Sequence, residues 1–97
     1  MNEADINVAI AMALGFTAPQ GFWIFEGRRT AIPNYCNDLN TMHEAEKALP
    51  ESMQGTMIDY LVIVQEQDGW DAFHSTAAQR AEAFLRTLNL WIEEPAT

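Results

Sequence analysis

The segment after Ser75 carries the most constraining pattern in the chain, that of a capped amphipathic helix. Thr76 can accept a hydrogen bond from a free N–H group of the first helical turn, and Gln79 stands three residues further on, as in a capping box. The following apolar residues recur at helical spacing and would share one face: Ala81, Phe84, Leu85 and Leu88. Arg80 and Glu82 would point outward. This pattern predicts a helix from about residue 76, which the rest of the chain must cover.

The N-terminal segment predicts another helix, from about residue 4 to residue 14. Its apolar residues again fall on one face: Ile6, Ala9, Ile10, Ala13 and Leu14. Asn2 or Asp5 can cap its start, because short polar side chains accept bonds from the free N–H groups there. Gly15 stands where helices commonly turn left-handed and stop.

A middle helix is predicted from Asn37 or Asp38, either of which can cap it, to about Leu49. Its apolar face would contain Leu39, Met42, Ala45 and Leu49. Pro50 and Glu51 then open a new short element. Together with the two other periodic segments, this helix gives the chain three amphipathic faces that need a common core.

A short run in the first third of the chain predicts a hairpin. Residues Phe22–Phe25 are aromatic or β-branched, which is typical of a strand. Glu26–Arg28 would form the turn, and Arg29–Ile32 can return as a second strand. Pro33 has no N–H to donate to a ladder and therefore ends the pairing.

The segment 51–65 fits two structures. Its apolar residues suit a helical period: Met53, Met57, Leu61 and Val64. However, Tyr60–Val64 is rich in β-branched residues, and Gly55 is unfavourable inside a helix. We favour a helical turn at 51–55 followed by a strand at 57–65, and residues 71–74 could add a short edge strand.

This order of elements, within 97 residues, predicts one domain spanning residues 1–97. The expected fold is α+β, with a small antiparallel sheet and helices packed in layers as an α/β/α-type sandwich.

The charge is strongly acidic: five basic residues stand against fourteen acidic ones, for a net charge of −9. Direct binding to nucleic acid uses a basic patch, and an anionic membrane would repel this chain, so a protein partner with a basic surface, or mimicry of nucleic acid, fits better. Residues 48–79 contain no Lys or Arg, and Trp70 lies within their acidic end. The predicted protein-binding patch is Glu66, Asp68, Trp70 and Asp71. The alternative is that acidity only maintains solubility.

No residue set predicts catalysis or metal binding. His43 is followed four residues later by Lys47, where a zinc helix needs a second His. Cys36 precedes a helix start, whose dipole could lower a thiol pKa, but no orienting group accompanies it. A small semi-buried residue is the favoured interpretation of Cys36. We expect no enzyme activity, no metal and no cofactor.

A cytoplasmic location is expected. Cys36 is alone, so it has no disulfide partner within the chain, which is typical of a reducing compartment. Glu3 and Asp5 stand where a signal peptide needs positive charge. No apolar run reaches the ~20 residues of a membrane helix.

Arg28 and Arg29 form the only adjacent basic pair and support a different hypothesis. Their forked donors could hold a phosphate, with Tyr35 stacking on a base and Asp38 as a further contact. The chain would then be a small-ligand or nucleotide-binding protein, and a homo-oligomer would suit such a ligand sponge.

Four blocks of the chain resemble the phage ABA sandwich domain family, small accessory proteins of tailed phages and prophages. The blocks are Asp5–Gly15, Pro33–Asn40, Met42–Lys47 and Thr76–Leu85. Pro33–Asn40 resembles that family's Pro-x-Tyr-Ser-x-Asp-Leu junction, with Cys36 where Ser is usual. The resemblance implies a sheet between helical layers and no single activity.

Together these features predict a non-enzymatic phage or prophage accessory protein. It would act in the host bacterial cytoplasm by binding a host protein, such as a defence or nucleic-acid-handling factor, through its acidic surface. A minor structural or regulatory part of the phage is a third hypothesis.

Overall fold

The computed structural model describes residues 1–67 and 76–92, apart from the side chains of 65–67. Its elements are α1 Glu3–Ala13, β1 Ile24–Phe25, β2 Arg28–Arg29, α2 Leu39–Glu46, α3 Glu51–Gln67 and α4 Ala77–Thr87. The two strands pair antiparallel, with Ile24 opposite Arg29 and Phe25 opposite Arg28. Four helices and a two-stranded sheet within the described residues form one compact α+β domain, which confirms the predicted fold class. The edge strand predicted at 71–74 lies outside those residues.

The core is built around α4, which packs against α1, α2 and α3. Its four largest fully buried side chains come from three helices: Ile10, Met42, Phe84 and Leu85. The capping box predicted at the start of α4 is present. Thr76 Oγ1 accepts a hydrogen bond from the backbone N–H of Gln79 at 3.1 Å, and Gln79 Oε1 accepts one from the backbone N–H of Thr76 at 2.9 Å. These bonds satisfy two backbone donors that a helix start otherwise leaves open. The predicted α4 face is confirmed, with Leu88 half-buried at its end.

The ends of α1 agree with the sequence prediction. The Asn2 side chain accepts a hydrogen bond from the Asp5 amide at 2.8 Å, so Asn2 is the N-cap. Gly15 has φ +107°, the left-handed conformation that ends a helix at low steric cost only for glycine. Beyond this turn, the Phe16 ring stacks on the Phe25 ring with centroids 4.4 Å apart. The hairpin is thereby fixed to the end of α1.

A polar cluster fixes α1 to the turn before α2. Asn7 Oδ1 accepts from the backbone N–H of buried Cys36 at 3.0 Å, and Asn7 Nδ2 donates to Asn34 Oδ1 at 3.3 Å. Asn37 Nδ2 donates to Glu3 Oε2 at 3.1 Å. Because a buried amide without an acceptor costs about 1–3 kcal/mol, Asn7 specifies how this turn sits on α1.

The prediction for α2 is correct at its start, but the helix ends at Glu46 rather than at about Leu49, and one residue of its predicted apolar face is exposed. Asp38 caps the helix, because its carboxylate accepts from the Thr41 amide at 3.2 Å. Three of the four predicted apolar residues are buried: Met42, Ala45 and Leu49. Leu39 is exposed, because as the first helical residue it lies beyond the edge of the core.

The strand predicted at 57–65 is wrong, because these residues belong to the helix α3. The helical period of Met57, Leu61 and Val64 decides the structure, since all three are buried. Their burial against neighbouring helices outweighs the β preference of the branched residues, which is worth less than about 1 kcal/mol each. Pro50 precedes the first helical residue, where its missing N–H costs nothing.

Arg80 was predicted to point outward, and that prediction is wrong. Its guanidinium forms a two-pronged ion pair with the Glu46 carboxylate of α2, with Nε 3.0 Å from Oε2. Both side chains are largely buried. The sequence pattern of α4 does not reveal this contact, because it depends on where α2 packs.

Candidate protein-docking face

Of the protein-binding patch predicted at Glu66, Asp68, Trp70 and Asp71, the structure describes only the backbone of Glu66. Glu66 belongs to the last turn of α3, whose side chains from 65 onward are not described. Asp68, Trp70 and Asp71 lie outside the described residues. In the sequence these residues directly follow α3, so the described part of that helix is the segment that leads into them.

The outer face of α3 combines exposed apolar side chains with acids. We define the α3 outer face as six of the exposed residues of this helix: Glu51, Gly55, Ile58, Asp59, Val62 and Ile63. Ile58 is 60% exposed, Ile63 48% and Val62 40%. Single exposed apolar residues are ordinary on protein surfaces, but Ile58 and Val62 lie one turn apart and Ile63 is nearby, which makes this part of α3 a candidate interaction surface.

The acids of this face have no bases among them. Lys47 pairs with Glu44 at 2.8 Å, Arg86 with Glu82 at 2.9 Å, and Arg80 with Glu46, so three of the five bases are committed elsewhere. Within the described residues, no ion pair involves Glu51 or Asp59 of α3. The helix α3 itself therefore carries acids and no base, since residues 48–79 contain no Lys or Arg.

A cleft borders the α3 outer face on its α2 side. It has a volume of about 420 Å³ and is lined by His43, Glu46, Lys47, Gln54, Met57, Ile58 and Arg80. Ile58 contributes to both the cleft and the outer face. An apolar side chain from a partner could therefore enter the cleft while the rest of the partner lies along α3.

The structure does not bring the four predicted ligand-binding residues together into one site. Arg28 and Arg29 are exposed on β2 and border a cavity of about 460 Å³. The Arg29 guanidinium lies 4.6 Å from the centre of the Phe22 ring, a cation–π contact. Tyr35 is only 3% exposed, and burial raises the pKa of its phenol. Its ring is packed in the core and presents no open face for stacking on a base.

Asp38, the fourth of those residues, has a structural role. Its carboxylate caps α2, and the hydrogen bond from the Thr41 amide is the main cause that holds its pKa below the ordinary value. Within residues 1–67 and 76–92, no hydrogen bond or ion pair links Arg28 or Arg29 to Asp38. The hairpin and the α2 cap are separate features.

The Cys36 thiol has the opposite character to an activated nucleophile. It is buried, and burial, followed by the nearby Glu3 charge, raises its pKa from 9.0 to about 11. Its protonated state at neutral pH suits the packing role favoured from sequence. His43 is exposed on α2, and the described residues contain no group of three His, Cys, Asp or Glu that could hold a metal ion.

The α3 outer face was missed by the sequence analysis because residues 57–65 were assigned to a strand. A signal was present, since Met53, Met57, Leu61 and Val64 already share a helical period. Placing those residues inward puts Ile58 and Val62 on the flank of the helix, and a helix apolar on more than one side needs more than one covering surface.

No protein-family model, curated protein or solved structure matches this chain. Of the helices in residues 1–67 and 76–92, none is both long and apolar enough to cross a membrane.

Proposed function

We propose that this chain is a non-enzymatic binding protein that docks on a basic surface of another protein through the α3 outer face. The observation that carries the proposal is that Ile58, Val62 and Ile63 are exposed on a helix that carries Glu51 and Asp59 but no Lys or Arg of its own. Apolar burial would supply affinity, and the acids would attract and select a basic partner. The patch predicted at Glu66, Asp68, Trp70 and Asp71 remains a prediction beside this surface.

The resemblance to the phage ABA sandwich family supports a cellular setting for this activity. In that setting the chain is a phage or prophage accessory protein in the cytoplasm of the host bacterium. Its partner is a host protein with a basic surface, such as a defence or nucleic-acid-handling factor. A net charge of −9 favours such a partner over direct contact with nucleic acid or an anionic membrane.

Matched double variants test the proposal. One variant carries Ile58→Gln and Asp59→Asn on the α3 outer face. The control carries Met12→Gln and Asp5→Asn on α1, where Met12 is 59% exposed, nearly the same as Ile58. Both variants lose one exposed apolar residue and one charge.

Wild type and both variants are used to capture proteins from a bacterial lysate, and the recovered protein is then purified and its affinity measured. We expect the control to bind like wild type and the α3 variant to bind at least tenfold more weakly, since interface anchors are each worth more than about 1 kcal/mol. Binding should also weaken at high salt. Equal affinity of all three proteins would refute the proposal.

A small anionic ligand, such as a nucleotide, is the second candidate, and one observation favours it. Arg28 and Arg29 border a cavity and form no ion pair with any acid in the described part of the chain. Thermal-shift screening of nucleotides against wild type and Arg28→Gln tests it. A stabilisation that disappears in the variant would support this candidate, and no stabilisation by any nucleotide would remove it.

A further inference from the structure

Gly55 stands inside α3, where no contact within the described residues requires a glycine. It is the fifth residue of a 17-residue helix, and its backbone is not left-handed. A Cβ placed on it would meet no atom within 4 Å. Glycine destabilises a helix interior relative to alanine, so neither the fold nor the packing of this domain accounts for it.

Gly55, Ile58 and Val62 form one stripe along the α3 outer face. Their spacings of three and four residues place them on neighbouring turns of the same side. Ile58 and Val62 offer exposed apolar side chains, and Gly55 leaves the helix backbone bare between them and Glu51. A small residue beside larger apolar ones lets a second helix approach the backbone closely, while the larger side chains pack against that helix.

We infer that this stripe binds an amphipathic helix of the partner protein. The apolar face of that helix packs on Ile58 and Val62, and its backbone comes closest at Gly55. Lys or Arg residues on its flank pair with Glu51 and Asp59. This inference rests on the proposed function and specifies its partner as a basic amphipathic helix, one of the common ways in which a protein recognises a peptide segment.

Charge distinguishes this partner from a second copy of the chain. Two α3 helices packed face to face would place Glu51 and Asp59 of both copies in one interface, four acids in all. Residues 48–79 contain no Lys or Arg that could compensate for that repulsion. A helix with bases beside its apolar stripe meets the α3 outer face with opposite charge.

A designed peptide tests the inference on the full-length protein. The probe is a helix of about 20 residues made of Leu, Ala and Lys with its Leu residues on one stripe, long enough to be helical in water. One control peptide has the same composition with Leu scattered around the helix, and another has Glu in place of Lys. Binding is measured by NMR titration of the isotope-labelled protein.

We expect the striped basic peptide to shift the amide signals of Gly55, Ile58 and Val62, and both control peptides to bind at least about fivefold more weakly. Equal binding of the scattered peptide would show that charge alone acts and would overturn the inference. So would signals that shift only outside α3, or the absence of binding by the striped peptide. Concentration-dependent dimerisation lost in Ile58→Gln would assign the face to a second copy instead.

Variants separate this inference from the proposed function. Gly55→Leu fills the bare backbone, and Ser52→Leu adds the same side chain to an exposed position of α3 outside the stripe. We expect Gly55→Leu to weaken peptide binding at least fivefold and Ser52→Leu to leave it unchanged, with both proteins folded by circular dichroism. Gly55→Ala adds only a methyl group at the same position and improves helix formation, so it is a milder alternative to Gly55→Leu.

The pattern of results identifies which claim fails. If Ile58→Gln weakens binding while Gly55→Leu does not, the close helix approach is refuted and the docking face stands. If neither change matters, the peptide does not use the α3 outer face and the inference fails, whereas the proposed function is decided by the affinity of the matched double variants for the captured protein. Weakening by both changes supports the complete account.

Discussion

The helices α3 and α4 pack against each other, yet they use their apolar residues differently. In α4 nearly every large apolar side chain is covered by α1, α2 or α3, and the other side is polar. In α3 the residues Met57, Leu61 and Val64 are buried, while Ile58, Val62 and Ile63 remain in solvent. The core therefore accounts for α4 fully and for α3 only in part, and the unexplained part of α3 is the proposed docking face.

The two helices should differ most in how much the free energy of unfolding falls when a large apolar side chain is truncated. Phe84→Ala in α4 removes a fully buried ring and should lower the free energy of unfolding by about 3–5 kcal/mol, a large share of the stability of a small domain. Ile58→Ala in α3 should change it by less than about 0.5 kcal/mol. Urea denaturation followed by tryptophan fluorescence measures both. A comparable loss for Ile58 would mean that its side chain is part of the core.

The ion pair between α4 and α2 gives the next largest effect. Glu46→Gln removes the charge that faces Arg80 in a largely buried setting and should cost about 2 kcal/mol of unfolding free energy. Glu44→Gln breaks the Lys47 pair, whose side chains are both mostly exposed, and should cost about 0.5 kcal/mol or less. Chemical denaturation of the two variants checks the ranking. Equal losses would contradict the burial of the Arg80–Glu46 pair.

Helix capping gives a smaller effect. Thr76→Ala removes the hydroxyl that accepts from the Gln79 amide and should lower the free energy of unfolding by about 1 kcal/mol. Thr56→Ala, the same substitution at an exposed position inside α3, should be neutral or slightly stabilising because alanine is the better helix former. Thermal denaturation of both proteins tests this. Destabilisation by Thr56→Ala would indicate a contact for Thr56.

The smallest effect has the opposite sign. Gly55→Ala should raise the free energy of unfolding by roughly 0.5–1 kcal/mol, because the helix gains a better former and the new methyl group meets no atom within 4 Å. Denaturant titration in the absence of any partner measures it. Destabilisation would show that Gly55 has a role within the domain and would remove the reason for seeking one in a partner.

Local chemistry made part of this fold predictable. The caps at Asn2, Asp38 and Thr76 could be identified because each depends on a few neighbouring residues, and Gly15 indicated a left-handed stop for the same reason. The α+β class followed from these helices and the aromatic hairpin. Arg80 could not be placed, because its pairing depends on the packing of α2 rather than on its own helix.

The prediction of a strand within the α3 segment failed for a physical reason. Its β-branched residues and Gly55 favour a strand locally, and only the burial of Met57, Leu61 and Val64 against other helices overrides that preference. The proposed docking face includes the same residues, since Gly55, Ile58 and Val62 are less favourable than alanine in a helix and are exposed rather than part of the core. Deviations of this kind are expected where a surface has a binding role.

The most direct measurement of the central claim is the affinity of the matched double variants for the captured basic protein, determined by calorimetry at low salt. The account predicts that Ile58→Gln with Asp59→Asn lowers that affinity at least about tenfold. Met12→Gln with Asp5→Asn, which removes an apolar residue of nearly the same exposure and an equal charge, should leave it unchanged. Equal affinities for both variants would contradict the assignment of the α3 outer face as the docking surface.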